Sequence, residues 1–168
     1  GMLCSEYELG ISDSHDGIIH MPENSNVGGL YIDQMNLNDV MIEIGITPNR
    51  QDCLGVYGIA RDLAAAGIGE LKEIELPKFK TVGKSPINIL FEETPDQKKY
   101  CSAFGSRYIK NVKNCESPQW LKDKISSIGL KPISALVDIT NYILFDYNRP
   151  LHVYDADKIS GDIVIRSA

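Results

Sequence analysis

Residues 117–152 read SPQWLKDKISSIGLKPISALVDITNYILFDYNRPLH, and this stretch decides the fold. Ser117 offers a helix cap, and Pro118 suits the first helical position, where its missing N–H costs nothing. Leu121, Ile125 and Ile128 then fall on one face, and Gly129 stops the helix. Trp120 is expected to pack that helix down. A second helix is predicted from about 135 to 146, with Val137, Thr140 and Leu144 on one stripe. Asn148 tolerates the left-handed turn that ends it. Around this helical pair, residues 87–91 and 101–109 read as strands, and residues 162–166 alternate like another.

Working toward the N-terminus, residues 69–86 hold Pro77, Gly83 and Pro86 among lysines and glutamates, the texture of a linker. Before it lies another helix. Asp52 suits its cap, Val56, Ile59, Ala60, Leu63 and Ala64 recur at helical spacing, and Gly67 stands at the C-terminal position. Gly55 and Gly58 weaken this helix by about 1 kcal/mol each in an exposed context, so their expected use is close backbone packing. Residues 40–46 alternate and stop at Thr47-Pro48, which predicts one strand, because the residue before a proline is driven out of the helical region. Residues 1–39 are rich in turn formers, with short apolar stretches between them, as in a small β structure. Strands and helices mix without a regular βαβ alternation, so the fold class is α+β.

The 168 residues are 43% apolar and 24% charged, an ordinary balance for a globular protein. No apolar run approaches the roughly 18–20 residues that span a bilayer, and nothing resembles a signal peptide. Cys4, Cys53, Cys101 and Cys115 are scattered without paired spacing, which reads as reduced thiols of a cytosolic protein. Gly1 precedes Met2, as in an excised piece or one with an added residue. A formal charge of −6 argues against a free-standing nucleic-acid binder, since non-specific affinity comes from neutralising phosphates. Lys110, Lys113, Lys122, Lys124 and Lys131 gather loosely, and a solvated helix face explains them more simply than an RNA patch.

Phosphate loops, HExxH zinc motifs and GxSxG elbows are absent from the sequence. His15 and His20 lie in turn-rich sequence at poor spacing for a shared metal. His152 has more telling company, coming after Pro150-Leu151 just beyond a helix end and preceding Tyr154-Asp155. A sharp return of the chain there would bring His152 and the Thr140 hydroxyl to one cavity. The plainer alternatives are a structural histidine, a Thr140 hydroxyl bonded to the carbonyl one turn back, and Asp155 capping the next element.

Three ordered segments resemble the β subunit of bacterial phenylalanyl-tRNA synthetases. The first is Gly1-Met2-Leu3-Cys4-Ser5 with Glu8-Leu9-Gly10 and Asp16-Gly17-Ile18. The second is Thr47-Pro48-Asn49-Arg50-x-Asp52-Cys53-Leu54 with Gly58-Ile59-Ala60-Arg61-Asp62. The third joins Ser117-Pro118-x-Trp120-Leu121, Val137-Asp138-Ile139-Thr140-Asn141-Tyr142 and Pro150-Leu151-His152-x-Tyr154-Asp155. Together they cover nearly the whole chain.

That resemblance implies an internal fragment. Residues 1–39 would be the tail of an OB-like tRNA-binding module, and 40–75 the second half of a B1-type domain. Residues 76–85 would be a linker, and 86–168 the N-terminal part of a B3/B4 editing domain. The implied activity is hydrolysis of tyrosine mischarged onto tRNA(Phe), with Thr140 and His152 at the editing site and Asn141 and Arg149 as weaker substrate contacts. Conserved elements of that pocket, including a tyrosine-reading carboxylate, would lie beyond Ala168. The implied partners are a synthetase α subunit and tRNA(Phe), in the cytoplasm and away from membranes. ATP and Mg2+ would serve the whole enzyme, with no cofactor or metal in this piece. Asn148-Arg149 departs from the family's usual Gly-Gln before Pro-Leu-His. Thr47 to Arg50 reads as structural, with Pro48 setting a turn, Asn49 or Asp52 capping, and Arg50 or Arg61 pairing with Asp52 or Asp62. The alternative is a non-catalytic scaffold or tRNA/α-subunit binding piece; an unrelated small hydrolase using Thr140 and His152 is the remotest reading.

Overall fold

The computed structural model describes residues 1–92 and 101–166, which fall into two compact units, Gly1–Met41 and Ile42–Ala168. The first unit is built from turns and one short helix, α1 (Tyr31–Gln34). Its backbone donors are spent locally. Ser5 and Glu8 close a turn reciprocally, the Ser5 N–H and hydroxyl donating to the Glu8 carboxylate at 2.8 and 3.1 Å. The Gln34 amide accepts from the Asn26 N–H and donates to the Asn26 and Gly29 carbonyls, stitching that loop to α1. The strands expected within residues 1–39 are therefore not found among the described residues. Side chains and turns satisfy groups that a ladder would have used.

In the second unit, α2 (Val56–Ala65) comes after a 3-10 turn at Gln51–Cys53. The chain then reaches β1 (Ile89–Phe91), α3 (Gln119–Ser127), α4 (Ala135–Tyr147), a 3-10 turn at Ala156–Lys158 and β2 (Ile163–Ile165). α2 and α3 end alike. Gly67 and Gly129 take φ of +75° and +79°. Two N–H groups fold back on each last turn, Gly67 to Ala64 and Ile68 to Leu63, then Gly129 to Ser126 and Leu130 to Ile125. This satisfies carbonyls that helix ends otherwise orphan.

The strands pair in parallel, Ile89 opposite Ile163 and Phe91 opposite Ile165, with α3 and α4 in the connection between them. Asp162 locks the register by accepting from both the backbone N–H and the side chain of Asn88, at 2.9 and 3.0 Å. The strands expected at 40–46 and 101–109 do not form. An alternating segment becomes a strand when another pairs with it, and none of the described residues does so there.

α4 packs against both α3 and α2. Leu121 and Ile125 of α3 are each 1% exposed and form the core, as their spacing predicted, with Cys53 buried beside α2. Ile128 and Val137 are only partly covered, and Trp120 meets Tyr142 edge-on at 5.7 Å while remaining more than half exposed. The inner face of α2 differs from the expected one: Val56 and Leu63 are exposed, and Gly58 is buried. Gly58 packs so closely that an added Cβ would lie 2.0 Å from the Asp52 carbonyl oxygen. The start of α3 is also one residue late. Pro118 is its cap, because Ser117 turns inward to another partner. No helix among the described residues is long and apolar enough to cross a membrane.

Candidate functional site

The placement of α4 begins with a buried acid. Asp138, in its first turn, is fully buried, and its carboxylate accepts from the Ser117 hydroxyl and the Ile133 N–H. A carboxylate near a helix N-terminus also meets the favourable end of the helix dipole. The Asn114 side chain accepts from the Leu136 N–H at 3.3 Å, and the Ala135 N–H donates to the Cys115 carbonyl at 2.9 Å. Four groups thus hold the start of the helix that carries Thr140 and Asn141.

The Thr140 hydroxyl donates to the Val137 carbonyl at 2.7 Å, one turn back, as the plainer sequence reading expected. With its proton so used, this oxygen offers only lone pairs outward, so it is an acceptor toward anything that approaches. Asn141 is half-buried beside it in sequence. Tyr142 lies against Trp120, and burial together with a hydrogen bond to Asp146 pushes its hydroxyl up to about 12, so it stays protonated.

α4 ends at Asn148, which adopts the left-handed conformation with φ 53° and ψ 45°. Its side-chain N–H2 donates to the Gln51 carbonyl at 2.6 Å. Gly55 lies beneath, where a Cβ would approach the Asn148 nitrogen to 2.7 Å. The loop then leaves toward solvent. Arg149 donates to the Asn148 carbonyl at 3.2 Å, and His152 is exposed with its ring 6.3 Å from that of Tyr154. Asp155 caps the next 3-10 turn, as expected, by accepting from the Asp157 N–H. Among the described residues no hydrogen bond joins Thr140 to His152; they stand on the body of α4 and on the loop leaving it.

The turn under Asn148 is braced by ion pairs. Arg50 grips Asp52 through Nε and Nη2, each at 3.1 Å, and reaches the Asp62 carboxylate at 2.6 Å. Arg61 pairs with Asp52 from α2. The pairing expected from the sequence is therefore present, but neither Asn49 nor Asp52 caps: the cap positions of the 3-10 turn and of α2 fall at Arg50 and Gly55, and neither makes a side-chain cap bond. The Arg50 bond holds the Asp52 carboxyl down at about 2, and the same guanidinium lowers Asp62. Burial raises the Cys53 thiol, keeping it protonated. Asp52, Cys53 and Asp62 bring potential metal ligands within 4.8 Å of one another. The guanidinium already lies among them, 2.9 Å from Sγ, and supplies the positive charge a cation would.

Sequence reasoning passed over Asp138 and Asn114 as functional supports. A carboxylate in the first turn of a predicted helix was the available signal. Its partner Ser117 looked like a cap instead.

Residues 100–168, which include Thr140, Asn141, Arg149 and His152, match the sequence model of the B3/4 domain. The second unit thus contains part of a domain of that class. The whole chain is 50% identical over 166 residues to the phenylalanine–tRNA ligase beta subunit of Bartonella quintana (strain Toulouse), covering 99% of this chain and 20% of that protein. It is 49% identical over 168 residues to the beta subunit of Brucella abortus (strain 2308), covering 100% of this chain and 21% of that protein. The beta subunit of Mesorhizobium japonicum is 49% identical over the same length. The chain is similar over its whole length to phenylalanine–tRNA ligase beta subunits and spans about a fifth of the length of these relatives.

Proposed function

We propose that this chain supplies part of the post-transfer editing site of a phenylalanine–tRNA ligase, which hydrolyses tyrosine mischarged onto tRNA(Phe). The observation that carries the reading is the B3/4 match over 100–168, which contains both Thr140 and His152. The need for such a site is physical. A hydrophobic pocket rejects an analogue with one added hydroxyl only about a hundredfold, so accuracy calls for a second, hydrolytic sieve.

The residues suit complementary tasks. Thr140, an acceptor once its proton is bonded to Val137, matches the α-ammonium of an aminoacyl ester. His152, exposed on the loop, is free to orient water or the terminal ribose, and Arg149 beside it brings positive charge toward phosphate. Asn141 stands behind Thr140 as a second contact. In this reading 1–39 is the tail of an OB-like module, 40–75 belongs to a B1-type domain, 76–85 links, and 86–168 begins the editing domain. The α subunit and tRNA(Phe) are the partners in the cytoplasm, and ATP and Mg2+ serve the synthetic site elsewhere in the enzyme.

The test is Tyr-tRNA(Phe) deacylation by the complete beta subunit assembled with its α subunit. His152→Ala is expected to lower kcat about 100-fold, the low end of what positioned proton transfer contributes. Thr140→Ala should chiefly raise KM. Wild-type rates in both variants would refute the assignment. The exposure of His152 and the open apolar side chains of α3 and α4 favour a second reading, a non-catalytic scaffold or tRNA/α-subunit binding piece. On that reading both variants deacylate normally, and covering those side chains is what matters.

A further inference from the structure

We infer that Asn148 is a positioning residue, a latch that seats the loop bearing Arg149 and His152 on the 3-10 turn at Gln51–Cys53. The inference rests on the editing role proposed above and adds to it a support drawn from sequence almost a hundred residues away.

Three features make the seat. The Asn148 side chain donates to the Gln51 carbonyl at 2.6 Å while its own backbone holds φ 53°. Gly55 lets the chain approach, since a Cβ there would meet the Asn148 nitrogen at 2.7 Å, the Phe145 carbonyl oxygen at 3.0 Å and the Asn148 Cβ at 3.1 Å. The turn being gripped is itself fixed, through Arg50 to Asp52 and Asp62, through Arg61 to Asp52, and through the close approach of Gly58 to the Asp52 carbonyl. The seat thus extends from α2 to the end of α4.

The two residues after Asn148 transmit its orientation. Pro150 has a locked φ, and Arg149, preceding it, is confined to extended conformations. A stiff dipeptide therefore separates the latch from Leu151-His152, and a rotation at Asn148 swings the imidazole rather than dissipating. Glycine at 148 would adopt the same backbone angle but carry no donor for the Gln51 carbonyl. Asparagine combines the angle with the bond.

The experiment uses the complete beta subunit with its α subunit. Asn148→Gly keeps the backbone freedom and removes the donor; Asn148→Asp keeps the size and turns an acceptor toward the carbonyl. Both should lower kcat for Tyr-tRNA(Phe) hydrolysis about five- to tenfold, the factor set by one hydrogen bond of ordinary net strength. KM for the charged tRNA should stay within twofold of wild type. Hydrogen–deuterium exchange should quicken about fivefold in the peptide 145–155 and stay unchanged in 119–127, which separates loosening of the loop from loss of the fold. Gly55→Ala, pressing on the same turn, should reproduce the kcat defect. Unchanged exchange in both Asn148 variants overturns the latch. Faster exchange with wild-type kcat overturns its role in positioning. His152→Ala, run alongside, isolates the underlying reading: an intact kcat there removes the editing assignment, whereas a lost kcat beside normal Asn148 variants removes the latch alone.

Discussion

Replacing Asp138 with alanine should unfold the helical pair far more readily than its place on an amphipathic helix suggests. The carboxylate is fully buried and accepts from two donors, the Ser117 hydroxyl and the Ile133 N–H, the latter at 3.0 Å. A hydrogen bond to a charged group contributes about 1.5–3 kcal/mol, and a buried donor left without a partner costs about 1–3 kcal/mol. Ser117 is only 6% exposed, so water does not readily replace the lost acceptor. These figures describe the same two bonds from opposite sides and are not added to each other, so two bonds place Asp138→Ala at about 3–6 kcal/mol. Asp138→Asn should cost roughly half as much, about 2 kcal/mol, since the amide oxygen can still serve Ile133 and the Ser117 hydroxyl can rotate to accept from the new N–H2. Urea unfolding of the purified chain, monitored by Trp120 fluorescence, measures both, because that ring sits against Tyr142 across the α3–α4 interface. An Asp138→Ala midpoint indistinguishable from wild type, or an asparagine variant worse than alanine, would refute the reasoning.

Gly58→Ala should be among the most damaging small substitutions in the chain. Its Cβ would stand 2.0 Å from the Asp52 carbonyl oxygen and 2.9 Å from the Cys53 Cα, both backbone atoms that cannot swing aside, so a loss of about 3 kcal/mol or more is expected in the same urea assay. The Arg50 cluster should also make stability depend on acid. The folded-state pKa of Asp52 is held at about 2, below its ordinary value of 3.8, and that of Asp62 is lowered too. Their contribution is therefore complete above about pH 4, fades as the pH falls, and is lost on passing below the folded-state value. The gap in urea midpoint between wild type and Asp52→Asn should close between pH 4 and pH 2; a constant gap would contradict the assignment.

Much of the helical architecture was legible because its signals are local. Leu121 and Ile125 recur at helical spacing, Gly67 and Gly129 sit where left-handed caps form, and Asn148 does the same for α4. Strands were legible only where a partner exists. Residues 89–91 and 163–165 found each other, and 40–46 and 101–109 did not pair, although all four read as strand segments in the sequence. Pairing is a property of two segments, and one-dimensional periodicity carries no information about the second. The candidate site residues were recognisable as letters of a motif, and the Thr140 bond one turn back was among the readings the sequence offered, but the exposure of the imidazole was not legible.

By itself the sequence determined where the chain can turn, where it can coil, and which family it resembles, since caps, periodicity and motif order are all written within short windows. Only the tertiary structure decided that Ser117 serves Asp138 rather than its own helix, which backbone atoms Gly55 and Gly58 press against, and that Asn148 closes onto Gln51. Each of these joins groups distant along the chain or pressed to within a single atom's width. Their energies depend on burial and distance, quantities that exist only once the backbone has been brought together.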